Sequence, residues 1–298
     1  MVRTFWMIAG TAVLLGGGAV AWLMAGPSVP DRDLTGLSGD VNRGAYVARL
    51  SGCIACHTDP AGGGAVLAGG AGIDTEFGSF FAPNITPHPE YGIGSWTLAE
   101  FSRSLTAGTA PDGDHLFPVF PYSFYTRLTA QDVVDLWAAV NSVPAVAGGP
   151  PEHRLRFPFN WTRGVGLWKR LYFEPGPQAP VEGRSDSWLR GRYLAEAAAH
   201  CGACHTPRTL LGGLDSDRTF EGGTGPGNEK IPGITPEALA RKGWTADDLR
   251  YALRSGLTPS GDSLGGSMAE VIRYGTRYWS DADIAALVEY LMNPERPD

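Results

Sequence analysis

All four cysteines of the chain lie in two copies of one short motif, Cys-x-x-Cys-His, at 53–57 and 201–205. Two thiols at this spacing can form thioether bonds to the two vinyl groups of a haem, and the histidine can coordinate its iron. A disulfide would not need the histidine, and a structural zinc site would need four ligands of its own. The pattern predicts two covalently attached haem c groups, haem 1 at the first motif and haem 2 at the second. The predicted attachment residues are Cys53, Cys56, Cys201 and Cys204, and the predicted iron ligands are His57 and His205.

Each motif belongs to a longer repeated pattern. A tryptophan followed by threonine lies 43 positions after the first cysteine of each motif, at Trp96 and at Trp244. Upstream of each tryptophan, PNITP at 83–87 matches PGITP at 232–236. Two tandem copies of one domain explain these matches, because unrelated segments would not keep the same spacing twice.

The elements that must position the motifs are helices. Thr97 with Glu100, and Thr245 with Asp248, make capping boxes that each predict the start of a helix. No alternation typical of strands has a useful length, so the predicted fold class is mainly α. Apolar residues at helical spacing and the segments leading into the motifs predict four more helices, at 41–51, 133–140, 188–199 and 284–291.

Composition limits the possible partners and the regularity of the fold. The 298 residues include 41 glycines and 23 prolines, which favour short helices joined by irregular loops. The formal net charge is -7 and no basic stripe is present, so we expect no nucleic-acid partner.

The first 25 residues are typical of an export segment. Arg3 precedes an uncharged run at 5–25, whose 21 residues could cross a hydrocarbon core of about 30 Å. The run predicts a retained transmembrane helix with a cytoplasmic N-terminus. The alternative is a cleaved signal peptide, since Ala19-Val20-Ala21 resembles a cleavage site. Both interpretations place the rest of the chain outside the cytoplasm, where haem c is attached.

The segment between the two copies is rich in proline, glycine and aromatic residues. Because a flexible linker would not carry Trp161 and Trp168, we expect an irregular strap that packs across both domains and fixes the distance between the haems. The predicted organisation is a signal anchor and linker at 1–30, copy 1 at 31–147, the strap at 148–183 and copy 2 at 184–298.

The sixth iron ligand distinguishes the two motifs. Met268 lies 67 positions after the first cysteine of the second motif, and its thioether is the predicted sixth ligand of haem 2. The same count from the first motif leads to Phe120, which has no donor atom. No methionine lies between Met24 and Met268. Haem 1 is therefore predicted either to lack a protein sixth ligand or to use one of four other side chains, His115, His88, Tyr122 or Tyr125.

Four long stretches make the chain similar to a known family. They are APNITPHPEYGIGSW at 82–96, PDGDHLFPVFPYSFY at 111–125, LRFPFNWTRGVGLWKRLYF at 155–173 and GRYLAEAAAHCGACHTPR at 191–208. They resemble the dihaem and trihaem cytochrome c subunits of periplasmic membrane-bound dehydrogenases, of the alcohol dehydrogenase cytochrome subunit type. The resemblance implies two tandem cytochrome c domains with an irregular connecting strap, after one N-terminal transmembrane helix. Where that family reads Pro-x-Met-Pro-Tyr this chain has Phe120, and the family carries the histidine at His115 beside an intact methionine.

The resemblance also implies a function. We expect a dihaem protein at the periplasmic face of the bacterial inner membrane, with no catalysis of its own, that carries electrons from a periplasmic dehydrogenase. The expected acceptor is a quinone, an oxidase or a soluble cytochrome. Haem 2, with sulfur ligation, is expected to have the higher potential. In the alternative interpretation, an open haem 1 binds or reduces a small ligand such as peroxide, nitric oxide or a sulfur compound.

Overall fold

The computed structural model of the chain describes residues 16–293. Both copies are mainly helical, and among the described residues five strands of two to four residues, which the sequence did not predict, form two small antiparallel sheets. In copy 1 the elements are α1 Val41–Leu50, α2 Cys53–Cys56, β1 Gly72–Thr75, β2 Gly78–Phe81, α3 Leu98–Ala107, α4 Tyr122–Tyr125 and α5 Ala130–Ser142. The strap contains β3 Arg154–Leu155 and α6 Gly164–Tyr172. In copy 2 they are α7 Asp186–Tyr193, a π-helix Leu194–Ala198, α8 Gly202–His205, β4 Gly223–Thr224, β5 Lys230–Ile231, α9 Pro236–Arg241, α10 Ala246–Ser255, α11 Gly266–Tyr274 and α12 Asp281–Met292.

Both predicted capping boxes are confirmed. The Thr97 hydroxyl accepts the amide of Glu100, whose carboxylate accepts the amide of Thr97 in return. Thr245 and Asp248 make the same pair of hydrogen bonds at the start of α10. These bonds satisfy amides that have no partner within the helix, so the start of each helix is encoded locally.

The core of each copy is a crossing of its first and last long helices, α1 with α5 and α7 with α12. The crossing points are glycines. A Cβ on Gly44 would lie 1.8 Å from the carbonyl oxygen of Asp135, and a Cβ on Gly191 would lie 2.0 Å from that of Ala286. Only glycine allows the two backbones to approach this closely.

Copy 2 has one residue more than copy 1 between the crossing glycine and the motif. The crossing glycine lies nine positions before the first motif but ten positions before the second. The extra residue is absorbed by the π-helix Leu194–Ala198, which follows α7 directly. The helix predicted at 188–199 is therefore present, but its second half has π geometry, which accommodates one more residue than the equivalent α-helical turn.

The two copies contact each other through reciprocal hydrogen bonds. The hydroxyl of Tyr46 in copy 1 donates to Asp283 of copy 2, at 2.7 Å, and the hydroxyl of Tyr193 in copy 2 donates to Asp132 of copy 1. Each tyrosine lies two residues after the crossing glycine of its copy. Each hydroxyl also accepts the amide of the residue that caps the last helix of the other copy. Equivalent residues thus exchange equivalent contacts, as at an isologous interface, and the copies are related by a pseudo-two-fold axis.

The strap contacts both copies. In β3 its residues extend the sheet of copy 1, in the order β1-β2-β3. The buried amine of Lys169 donates to the carbonyl oxygens of Ala107 and Gly108 in copy 1, both at 2.7 Å. On the other side, the indole of Trp168 donates to the carbonyl oxygen of Leu211 in copy 2, at 3.0 Å. One short helix, α6, therefore ties the two copies together.

The prediction of an N-terminal transmembrane helix is wrong. Among residues 16–293, no helix has the length and apolar character needed to cross a membrane. The described part of the predicted run is helical at 16–24. The rest of the predicted span, residues 5–15, lies outside the described residues.

Candidate haem sites

The first motif forms a single helical turn, α2, that ends at a buried imidazole. Nδ1 of His57 lies 2.7 Å from the carbonyl oxygen of Pro83, in the repeated PNITP segment. A proton on Nδ1 donated to this carbonyl leaves Nε2 free for a metal and fixes the ring orientation. Burial lowers the pKa of His57 below its ordinary value, so the ring is in the neutral form that binds iron.

The second motif repeats this arrangement at α8. Nδ1 of His205 lies 2.8 Å from the carbonyl oxygen of Pro232, which begins the matching PGITP segment. Burial also lowers the pKa of His205. The repeated proline segment therefore has a physical role, since in each copy its first carbonyl group orients the predicted proximal histidine.

The cysteines and histidines have the chemistry that haem c attachment requires. All four cysteines are free thiols. Their packed surroundings raise the pKa of Cys53 and of Cys201 to about 12, so both remain protonated near neutral pH. Over residues 16–293, no group of three or more His, Cys, Asp or Glu side chains is placed to hold a metal ion directly. Paired thiols beside one oriented imidazole fit a haem and do not fit a zinc site.

The two attachment turns meet at the pseudo-two-fold axis. A Cβ on Gly52, directly before the first motif, would lie 3.6 Å from Cε1 of His200, which directly precedes the second motif. A Cβ on Gly202, inside the second motif, would lie 3.2 Å from the ring of Phe124. Burial, and to a smaller extent the charge of Cys204, raises the pKa of the Cys56 thiol to about 11. Equivalent residues of the two predicted haem sites thus lie side by side.

The predicted sixth ligand of haem 2 lies in the first turn of α11. Met268 is partly buried and packs against the hydrophobic core. It precedes the last helix of copy 2, α12, as the sequence predicted. Its thioether would supply a second protein ligand to the iron of haem 2.

The equivalent position in copy 1 is occupied by an aromatic cluster. Phe120 packs edge-on against Tyr125, with ring centroids 5.6 Å apart. The hydroxyl of Tyr125 donates to the carbonyl oxygen of Ser51, while Tyr122 is fully buried and its hydroxyl has no partner. Burial raises the pKa of both tyrosines, so neither is a phenolate that could bind iron.

The two histidines that the sequence offered for haem 1 are engaged elsewhere. Nε2 of His115 lies 3.0 Å from the carbonyl oxygen of Met24, and its Nδ1 lies 3.1 Å from the amine of Lys169. Nδ1 of His88 accepts the amides of two residues that follow it in a turn, Glu90 and Tyr91. Both nitrogens of His115 thus have other contacts, and His88 directly follows the PNITP segment that orients His57.

The sequence has close relatives among known proteins. No family model matches the chain. It is 42% identical over 291 residues to a diheme cytochrome c-type protein of Cereibacter sphaeroides, an alignment that covers 96% of each chain. The chain belongs to the dihaem cytochromes c. The suspected family is confirmed, and haem c is its cofactor.

Longer relatives match this dihaem cytochrome c over part of their own length. It is 39% identical over 254 residues to the fructose dehydrogenase cytochrome subunit of Gluconobacter japonicus, covering 84% of this chain and 52% of that subunit. It is 36% identical over 282 residues to an alcohol dehydrogenase (quinone) cytochrome c subunit of Gluconacetobacter polyoxogenes, covering 90% and 58%. The chain therefore spans just over half of the length of these two dehydrogenase subunits.

His200 is a residue of this cytochrome whose position the sequence reasoning missed. Its φ is 42°, and that of the equivalent Gly52 is 68°, so both copies need a left-handed residue directly before the motif. The His200 ring stands at 88° to Tyr125, at 5.4 Å between centroids, and burial lowers its pKa to about 4. A neutral imidazole therefore fills the space between the two copies. The sequence feature that could have pointed to His200 is its alignment with Gly52, since a glycine there indicates a left-handed backbone conformation.

Proposed function

We propose that this dihaem cytochrome c takes electrons from a partner dehydrogenase and passes them between its two haems towards the respiratory chain. The observation that carries the proposal is the meeting of the two attachment turns, with Gly52 against His200 and Gly202 against Phe124. Electron transfer between haems needs a short separation of their edges, and attachment at these two neighbouring turns would favour it.

The residues that hold the haems are those of the two motifs. Each pair of thiols forms two thioether bonds, and each imidazole supplies one axial ligand through Nε2. The haem supplies a one-electron centre that cycles between ferric and ferrous iron. The chain contributes orientation, through the carbonyl groups of Pro83 and Pro232, and a partly dry environment. The proposed thioether residues are Cys53, Cys56, Cys201 and Cys204, and the proposed axial ligands are His57, His205 and Met268.

The direction of transfer in this proposal follows from the ligands. A thioether ligand stabilises ferrous iron and raises the potential, so haem 2 is the higher-potential, exit-side centre. Haem 1, with Phe120 in place of a sulfur ligand, is the lower-potential centre and receives the electron. The donor class is supported by the relatives, which are named as subunits of fructose, alcohol and gluconate dehydrogenases. The proposed site of action is the periplasm, with a quinone, an oxidase or a soluble cytochrome as acceptor.

The proposal is tested on the intact holoprotein. Mass spectrometry is expected to find two added haems, and the double variant Cys53→Ser, Cys56→Ser is expected to retain one. A redox titration is expected to resolve two centres, with haem 1 below haem 2. Rapid photoreduction is then expected to show an electron moving from haem 1 to haem 2 within the molecule. A potential of haem 1 well above that of haem 2, or transfer that depends on protein concentration, would overturn the proposal.

A second candidate function, ligand binding at haem 1, is favoured by the distal side of copy 1. Phe120 has no donor atom, and His115 uses both ring nitrogens for other contacts. An iron with an open sixth position binds carbon monoxide when it is reduced. We expect carbon monoxide to shift the spectrum of about half of the haem, since two haems are present and one has a methionine. A spectrum that does not change would exclude this function.

A further inference from the structure

The carboxylate of Glu229 is bonded to the turn that carries Met268. The amide of Ser267 and its hydroxyl both donate to Oε2 of Glu229, at 3.1 Å and 2.8 Å. Ser267 directly precedes Met268, and Glu229 is 38 residues upstream. Nothing in the local sequence of α11 supplies this contact, because the residue that caps the helix, Gly265, has no side chain.

The start of α11 is shaped to receive this carboxylate. Gly266 has φ 56°, and a Cβ there would lie 1.9 Å from Oε1 of Glu229. The first residue of the helix therefore has to be glycine for the carboxylate to reach the amide behind it. An anionic acceptor at this position binds an unpaired amide and interacts favourably with the helix dipole. Glu229 thus caps α11 from a distant part of the chain.

The segment at 229–232 contacts one predicted iron ligand of haem 2, His205, and the turn that carries the other, Met268. At one end, Glu229 holds the turn of Met268. At the other end, the carbonyl oxygen of Pro232 lies 2.8 Å from Nδ1 of His205. Between them Ile231 is buried and pairs with Gly223 in the hairpin β4-β5. Four consecutive residues therefore connect the proximal and the distal side of one haem site.

Copy 1 lacks this arrangement together with the methionine. Counting back from the matching prolines, Phe80 corresponds to Glu229, and counting from the motifs, Val119 corresponds to Ser267. Phe80 is buried and packs edge-on against Phe117, with ring centroids 5.5 Å apart. The copy with a methionine has the carboxylate and the hydroxyl. The copy with Phe120 has neither.

We propose that Glu229 is a positioning residue that holds the Met268 turn over haem 2 and so stabilises the bond between the thioether and the iron. The proposal rests on the proposed function, in which Met268 is the sixth ligand. Without the carboxylate, the amide and hydroxyl of Ser267 lose their common acceptor. The first turn of α11 then opens more readily, and an external ligand can replace the methionine.

The test uses imidazole, which competes with methionine for ferric haem, and the full-length holoprotein. The probe signal is the red charge-transfer band that only methionine-ligated ferric haem shows, so the open haem 1 does not contribute. In Glu229→Ala we expect imidazole to remove the band at about one tenth of the concentration that the unaltered protein needs, equivalent to about 1.4 kcal/mol. Glu229→Gln keeps a neutral acceptor, so its midpoint is expected between those two values.

Two further variants separate positioning from general stability. Ser267→Ala keeps the amide and removes the hydroxyl, so its midpoint is expected to fall in the same direction as that of Glu229→Ala. Glu221→Ala is the control, because this carboxylate lies eight residues before Glu229 and pairs with Arg218 instead. It is expected to leave the midpoint unchanged. If Glu229→Ala does not fold, the Gln and Ser267 variants decide the question.

The outcomes distinguish the two proposals. The unaltered protein should show the band and Met268→Leu should abolish it, and a band that survives in Met268→Leu would overturn the proposed ligation and this inference with it. A band that depends on Met268, with the same imidazole midpoint in all Glu229 and Ser267 variants, would overturn the role of Glu229 alone. Equal sensitivity of Glu221→Ala and Glu229→Ala would also overturn it.

Discussion

The reciprocal tyrosines at the interface of the two copies allow a quantitative test of the pseudo-two-fold arrangement. We consider the variants Tyr46→Phe and Tyr193→Phe and their combination. Each substitution removes one hydroxyl and keeps the ring, so the packing of the aromatic side chain is retained. Each hydroxyl donates to a carboxylate of the other copy and accepts a backbone amide there. Both contacts are lost together.

The expected magnitude follows from these contacts. A hydrogen bond to a charged group contributes about 1.5–3 kcal/mol, and an amide left without an acceptor adds to the loss where water cannot reach it. Asp283 keeps its ion pair with Arg190, at 2.7 Å, which limits the damage in that half. We expect each variant to lower the free energy of unfolding by about 2 kcal/mol. Arg190 pairs with Asp283 and also lies over the ring of Tyr193, so the two halves are coupled. The loss in the double variant should therefore depart from the sum of about 4 kcal/mol.

The assay is urea unfolding of the holoprotein, followed by the circular dichroism of the haem band, together with the rate of transfer between haems. Tyr251→Phe is the matched control, since this ring is 57% exposed on α10, away from the contact between the copies. The control should change neither quantity, and the interface variants should reduce both. Equal stability of the control and the interface variants, or a loss in one half of the interface only, would refute the reciprocal arrangement.

Three further predictions concern single sites. Gly44→Ala should destabilise copy 1 by about 1–3 kcal/mol, because its Cβ would lie 1.8 Å from the carbonyl oxygen of Asp135. The same change in an exposed helix stabilises the helix. Thermal unfolding measures the effect, and a raised melting temperature would contradict the prediction. Phe120→Met should supply a thioether to haem 1, abolish carbon monoxide binding at that haem and raise the reduction potential of that haem. Spectra of the reduced protein and a redox titration measure these effects. An unchanged carbon monoxide shift would contradict the prediction. Burial lowers the pKa of Lys169 from 10.5 to about 7, so the folded protein disfavours the charged amine. Between about pH 7 and pH 10 the unfolded chain therefore binds more protons than the folded protein. The free energy of unfolding should rise over this range by up to roughly 1.4 kcal/mol per pH unit. Lys169→Met should flatten this rise in urea unfolding at pH 7, 8.5 and 10, and a variant with the same pH dependence would show that the amine is not its source.

The local features of this cytochrome could be predicted from its sequence because their causes are local. The haem motifs need only five consecutive residues, and the capping boxes need four. The repeat was visible by counting, because both copies keep the same spacing between motif and tryptophan. The missing ligand at Phe120 followed from the same count. In each case one residue type at one spacing has a direct chemical consequence.

The N-terminal prediction was wrong for a related reason. An uncharged run at 5–25 has the composition of a membrane span, but composition does not show what the run packs against. In the described residues the helix ends at residue 24, and the carbonyl oxygen of Met24 lies 3.0 Å from Nε2 of His115 in copy 1. Met24 and His115 are 91 residues apart in the sequence. No local pattern encodes it.

The sequence by itself predicted two haem sites, their proximal histidines, and the difference between the two copies at Phe120 and Met268. Only the tertiary structure decided how the two motifs face each other, because the contacts of Tyr46, His200 and Glu229 join residues far apart in sequence. The packing also decided which groups surround the candidate ligands of haem 1, since both nitrogens of His115 contact groups from other segments. Long-range hydrogen bonds depend on which surfaces the folded copies bring together, and spacing along the chain carries no signal for them.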